Sequence, residues 1–352
     1  MHAIIPPYLL ARLATAEAPH LAVAAEAARA TLATPRVYHP TRANLDVTVE
    51  GDALVFEGSP APDRVISDAQ HRETLPGVRV RGEDDPASDD VAVNQAFDGL
   101  GDTFGLLWDA FGRAAIDGAG GTLEATVHYG QKYDNAFWNG ERMVFGDGDG
   151  EVFTGFTGSV SVIGHELGHG VIEHAGGLEY QGQSGALNES VADVFGALTE
   201  QHLERQSAAE ASWLIGAGIF TDAVQGTALR SMKAPGTAYD DDVLGRDPQP
   251  AHMRDYVETT EDNGGVHINS GIPNKAFHLV ATALGGYAWE RAGRIWYLAL
   301  TGRRLSRTAD FAAFAAETVD VAAREYGEDS EEADAVRTAW SAVGVVNGDE
   351  RS

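Results

Sequence analysis

One stretch constrains this chain more than any other: Val162-Ile163-Gly164-His165-Glu166-Leu167-Gly168-His169-Gly170-Val171. It sets His165, Glu166 and His169 among apolar neighbours (Val160, Val162, Ile163, Leu167, Val171 and Ile172) that predict a buried helix. Side chains four apart on a helix share one face, one turn above the other. Two imidazoles at that spacing can hold one metal ion, and the carboxylate of Glu166 can reach water beside it. A dry apolar wall raises the electrostatic worth of such a site. The same three letters also arise by chance on an ordinary buried helix, so a second signal is needed.

That signal comes about twenty residues later, in Asn188-Glu189-Ser190-Val191-Ala192-Asp193. The apolar spacing of Val191, Val194, Phe195, Ala197 and Leu198 predicts another helix. A catalytic zinc takes three protein ligands and keeps one position open. Glu189 is the natural third ligand beside His165 and His169. Asp193, four residues on, shares its face and can accept the free ring N–H of a zinc histidine, fixing its tautomer. Asn188 is a further candidate for this supporting layer. Alternatively, Glu189 and Asp193 form a solvated helix face, but the surrounding apolar residues argue against that.

With these motifs the sequence resembles the thermolysin-like neutral zinc metalloproteases, the Glu-zincins, over about residues 64–345. Further segments carry the resemblance. Asp134-Asn135-Ala136-Phe137-Trp138-Asn139-Gly140 is similar to the family's substrate-receiving edge strand, and Arg142 to Gly150 follows as in the family. Asn263-Gly264-Gly265-Val266-His267-Ile268-Asn269-Ser270-Gly271 is similar to its second active-site segment. The resemblance implies an α+β, two-lobed zincin: a mixed sheet-and-helix N-terminal lobe, a mainly helical C-terminal lobe, and the cleft between them. It implies that Glu166 is the general base, that Tyr180 and His267 stabilise the oxyanion, and that Asp262 orients His267. It assigns Asn135 and Ala136 to substrate main chain, and Phe153, Phe156, Val162, Ile215, Leu229 and Arg230 to the pocket after the scissile bond. That pocket implies preference for Leu, Phe, Ile or Val, narrowed by Phe156.

The rest of the chain frames this expectation. Its 352 residues suffice for two domains with substantial cores. It has no cysteine, so neither disulfides nor thiolate chemistry are available. A formal charge of −28 disfavours nucleic acid and anionic membranes as partners. No run approaches a transmembrane length. The first residues lack a basic region, and Pro6-Pro7 interrupts the apolar stretch, so they make a poor signal peptide. Residues 8–34 are Ala-rich and predicted helical, ended by Pro35; residues 45–56 alternate as a hairpin, and 58–64 read as a Pro-rich linker. Residues 82–90 are an exposed acidic loop, read as a solvated charge run over a calcium role. Val91–Phe111 is predicted as a helix, Thr126–Tyr129 as a strand, and 146–150 as a tight turn. From about 272 to 346 helical spacing dominates.

The short Pro-Pro-Tyr-Leu-Leu leader resembles the propeptide of the protealysin-like branch, which folds against the catalytic domain and blocks the cleft. The division expected is residues 1–57 as propeptide, with a junction between 45 and 62, then lobes at 58–175 and 176–352. Many relatives carry cysteine where Ala3 stands, so thiolate capping of zinc is unavailable here. Gly168 stands where the family usually has threonine, costing a helix interior ~1 kcal/mol relative to alanine. Of the family's double calcium site only Glu200 is matched; Ser161, Ser212, Leu214 and Ala217 are not carboxylates, and Thr227 replaces an aspartate of another site. Calcium dependence is therefore expected to be weak. The expected partners are protein or peptide substrates, the chain's own propeptide and a proteinaceous inhibitor, with the enzyme a monomer. Secretion by a non-classical route is expected, with a cytoplasmic enzyme as the alternative. Two other readings stand beside the endopeptidase: a latent zinc-bound precursor acting as a binding protein, and a narrow peptidase of small peptides.

Overall fold

The computed structural model describes residues 3–35 and 61–346. The hairpin expected at 45–56 lies outside them, as does most of the expected propeptide junction. Residues 7–33 form two helices, α1 (Pro7–Ala14) and α2 (Ala22–Ala33), where the sequence reading expected one. Pro19 explains the break: it has no N–H to give an α-helix interior and instead opens a short 3₁₀ turn, Pro19–Leu21. Leu9, Leu10, Leu13, Ala24 and Ala28 are buried in the main core. Polar contacts tie this leader to both lobes. Arg12 donates to the Leu244 carbonyl (2.8 Å), the Ala24 amide to Glu151 (2.9 Å), and the Asp134 amide to the Thr31 hydroxyl (3.0 Å).

Strands β1 (Arg64–Asp68) and β2 (Val78–Gly82) precede helix α3 (Val91–Phe111). Asp90 caps α3 by accepting from the Ala92 and Val93 amides, and Gly112 closes it in the left-handed conformation with φ of 63°. Strands β3 (Leu123–Val127), β4 (Ala136–Trp138) and β5 (Met143–Phe145) complete a sheet of order β2-β1-β3-β5-β4. The pairs β1–β3 and β3–β5 are parallel; β4 lies antiparallel on β5, with Phe137 opposite Val144. Thus β4 is an edge. Its Phe137 and Trp138 side chains are buried, while the Ala136 carbonyl and Trp138 amide serve partners other than β5.

Beneath the sheet run α4 (Val160–His174) and α5 (Gly182–Glu204). The second starts at Gly182, well before Val191, the first residue of the apolar run that predicted it. Their crossing is close because glycines line it. A Cβ at Gly164 would lie 2.7 Å from Thr199 Oγ1, one at Gly168 3.0 Å from Ala192 Cα, and one at Gly196 2.4 Å from the Ser161 carbonyl. Gly168 thus gives up helix propensity for backbone approach. Residues 205–261 hold the two-residue strand pairs β6 (Leu214–Ile215) with β7 (Arg230–Ser231), and β8 (Asp240–Asp241) with β9 (Gly245–Arg246), and a short 3₁₀ turn, Met253–Asp255. The helices α6 (Asp262–Asn269), α7 (Gly271–Leu284), α8 (Ala292–Thr301), α9 (Phe311–Tyr326) and α10 (Glu331–Ala342) form the C-terminal lobe. The indoles of Trp296 and Trp340 stack at its centre, and Trp340 Nε1 donates to Thr318 (2.9 Å). No described helix is long and apolar enough to cross a membrane.

The crossing gives a direct test. Gly196→Ala drives a methyl into the Ser161 carbonyl and should cost ~1–3 kcal/mol, as overpacking does. Thermal unfolding should show a lowered midpoint; an unchanged midpoint would mean the helices have slack here.

Candidate active site at the lobe junction

Helix α4 presents His165 and His169, and α5 presents Glu189, all essentially inaccessible to solvent. Their ligand atoms lie within 4.8 Å of one another. Each imidazole is pinned from behind. His165 Nδ1 faces Asp193 Oδ1 at 2.7 Å, and His169 Nδ1 faces Asn188 Oδ1 at 2.8 Å. The Asn188 amide nitrogen donates to the Leu178 carbonyl (3.0 Å), which fixes its orientation. Both Nδ1 atoms therefore carry the hydrogens, and both Nε2 atoms present lone pairs. Those lone pairs face each other at 3.1 Å, and Glu189 carboxylate oxygens lie 3.5 Å from each. Glu189 Oε2 is buried with no hydrogen-bond donor among the described residues. Three electron-pair donors converging without a proton between them fit a cation, and two imidazoles with a carboxylate fit zinc.

Asp193 is the hub behind the ligands. Arg230 grips it through Nε to Oδ2 (2.9 Å) and Nη2 to Oδ1 (2.8 Å), and Asn274 donates to Oδ2 (2.8 Å). Burial alone would raise the Asp193 carboxyl, but the Arg230 charge and His165 hold it well below the usual carboxylate range. Glu166 is equally buried, and its Oε2 accepts the Trp138 amide at 2.8 Å. Glu166 is thus tied to the side of the edge strand that faces away from β5.

Across the cleft, α6 begins with left-handed backbone at Asp262, Asn263, Gly264 and Gly265. This turn folds Asp262 back under the helix, where it accepts the His267 amide (2.9 Å) and ring Nδ1 (2.6 Å). Burial would depress the His267 pKa, yet the charges of Asp262 and Glu189 raise it to about 9. Tyr180 bonds to Glu189, and its hydroxyl lies 3.2 Å from His267 Nε2. Burial and the Glu189 charge push the Tyr180 hydroxyl well above its ordinary range, so it keeps its proton.

The six residues expected to line the pocket (Phe153, Phe156, Val162, Ile215, Leu229 and Arg230) are all buried. Phe153 and Phe156 have ring centroids 5.8 Å apart, and Ile215 pairs with Arg230 across β6 and β7. Asn135 and Ala136 meet residues 4 and 5 of the leader, which lies in the cleft. The sequence reading did not single out Asn274, the Trp138 amide on Glu166, or Gln249, which donates to the His267 carbonyl (2.8 Å). Asn274 was findable as a buried polar residue in a largely apolar helical run; the other two act through backbone contacts that leave no compositional trace.

A His-His-Glu metal site on crossed helices, with a buried carboxylate beside it at an open strand edge, defines a zinc metalloendopeptidase. Comparison with known proteins agrees. The thermolysin metallopeptidase catalytic domain matches residues 37–173, and the thermolysin metallopeptidase alpha-helical domain matches 176–345. An extracellular metalloprotease of Pectobacterium carotovorum subsp. carotovorum is 52% identical over 283 residues, 80% of this chain and 81% of its own. Protease PrtS of a Photorhabdus species is 51% identical, over 80% of this chain and 76% of its own. The precursor of protealysin, a metalloproteinase from Serratia proteamaculans, superposes with a TM-score of 0.88 at 48% identity, covering 98% of this chain and all of the other. The chain belongs to the thermolysin metallopeptidase family.

The raised His267 pKa has a measurable consequence. A protonated His267 persists until pH rises through about 9, so a reaction needing that charge fails above it. Asp262→Asn removes the foremost raising influence and leaves burial, which lowers. The alkaline limb of kcat/KM should move to lower pH in this variant; an unmoved limb would exclude His267 as its source.

Proposed function

We propose that this zinc endopeptidase cuts polypeptides on the amino side of bulky apolar residues and is made as a precursor held inactive by its leader. The observation that carries this reading is the leader itself, whose Ile4 is fully buried beside the edge strand with Arg230 on its carbonyl. His165, His169 and Glu189 would hold zinc, which would supply the Lewis acidity that makes a water reactive near neutral pH. Glu166 would take a proton from the attacking water and pass it to the leaving amine. Tyr180 and the charged His267 donate to the oxygen on which negative charge develops. Asp262 keeps His267 oriented, Asp193 and Asn188 keep the two zinc histidines in one tautomer, and Asn135, Ala136 and Arg230 hold substrate main chain. Phe153, Phe156, Val162, Ile215 and Leu229 wall an apolar pocket suited to Leu, Phe, Ile or Val.

The domain assignment follows the same reading: a propeptide at 1–57, with its junction between 45 and 62, then catalytic lobes at 58–175 and 176–352. Export, a monomeric enzyme and control by a protein inhibitor complete it. The double calcium site of relatives is read as lost. Ser212 donates to Glu200 at 2.9 Å, and burial raises the Glu200 carboxyl, an arrangement suited to a site without a cation.

Three outcomes are expected. Glu166→Gln should keep its zinc, measured by elemental analysis, while casein turnover falls at least ~10²-fold; casein fragments from the unsubstituted enzyme should begin with Leu, Phe, Ile or Val. Retained turnover, or fragments starting mainly at polar residues, would overturn the assignment. Chelation of calcium alone should leave the unfolding temperature nearly unchanged, whereas a large fall would restore calcium to the account.

A further inference from the structure

The leader enters the cleft with a direction. The Ile4 amide donates to the Ala136 carbonyl at 3.1 Å, and the Ile4 carbonyl accepts from Arg230 Nη1 at 3.2 Å. The Ile5 amide donates to Asn135 Oδ1 at 2.9 Å, and the Ile5 carbonyl accepts from Asn135 Nδ2 at 3.1 Å. One residue earlier, the Ala3 carbonyl lies 3.0 Å from His267 Nε2. That nitrogen is 3.2 Å from the Tyr180 hydroxyl and 3.5 Å from Glu189. Of the peptide groups held in the cleft, Ala3–Ile4 is therefore the one that faces the metal ligands and the oxyanion donors. The register cannot slip forward, because Pro6 and Pro7 have no amide hydrogen to replace those of Ile4 and Ile5.

We propose that the leader is a substrate as well as a plug: the enzyme hydrolyses its own Ala3–Ile4 bond. This rests on the peptidase reading above. Water oxygen adds to the Ala3 carbonyl carbon, the C–N bond breaks, and its electron pair stays on the Ile4 nitrogen. Glu166 relays the water proton to that nitrogen, leaving a carboxylate on Ala3 and an amine on Ile4. The cut does not free the leader. Leu9, Leu10 and Leu13 remain buried, and the Arg12, Ala24 and Thr31 contacts remain on the C-terminal side of the break. The product is a nicked chain whose new N-terminus stays where the leaving half of a substrate would sit. Removal of the leader at its junction is a separate event.

Zinc-loaded full-length chain, followed over time by mass spectrometry at several protein concentrations, tests this. A peptide or chain beginning at Ile4 should appear at a rate independent of concentration, and Glu166→Gln should slow it at least ~10²-fold. In metal-free Glu166→Gln chain, the Ile4 and Ile5 amides should be protected from hydrogen exchange, and Asn135→Ala should release the Ile5 amide. Casein digestion with the Ala3–Ile4 bond intact, even in released leader, would overturn this inference and leave the proposed function standing. Neither casein digestion nor self-cleavage would overturn both. Freely exchanging Ile4 and Ile5 amides would overturn the register itself.

Discussion

The buried carboxylate of Asp193 holds the site together. It fixes the tautomer of His165, carries the Arg230 guanidinium and receives Asn274 from α7. Metal ligation on α4 and α5 is thereby bonded to the arginine of β7 that reaches the cleft. A lone buried carboxylate would be strongly unfavourable; bidentate pairing with arginine is what makes it tenable. Because the pair spans separate elements, the metal ligands and the arginine that meets the leader are set by one electrostatic arrangement.

The glycine-lined crossing of α4 and α5 serves that arrangement. The imidazoles and Glu189 meet only if the helix backbones approach closely, and side chains at 164, 168 and 196 would keep them apart. This accounts for Gly168, a departure that looks unfavourable on propensity alone. The edge strand completes the geometry from the other side. It offers the Trp138 amide to Glu166 and the Ala136 carbonyl to the Ile4 amide, so Glu166 and the leader are referenced to one strand.

Much of this was legible in the sequence because the relevant contacts are periodic or local. The four-residue spacings of His165 with His169 and of Glu189 with Asp193 gave the metal set and one of its supports, and the apolar spacing from Val91 to Phe111 gave α3 to its ends. Where signals are not periodic, the reading was coarser. Ser184 bonds to the Glu179 and Gln181 carbonyls at the start of α5, ahead of any apolar pattern. Residues 205–261 are organised by carboxylates such as Asp241 and Asp247 accepting from nearby amides, which hydrophobic spacing does not register. Nothing local marks Ala3, Ile4 and Ile5 as cleft residues, since their partners lie from 130 to 264 positions away. Only the resemblance to short-leader relatives raised that expectation.

Under the proposed function, the position of β4 decides what form a protein must take to be cut. Its outward Ala136 carbonyl and the neighbouring Asn135 side chain satisfy the main-chain groups of Ile4 and Ile5, and would do the same for a visiting peptide. A backbone already paired within a helix or a sheet has no such groups to offer. The cleft is therefore a sensor of missing secondary structure: a folded protein is invisible to it except at frayed ends and loose loops, and a chain becomes visible as it unfolds.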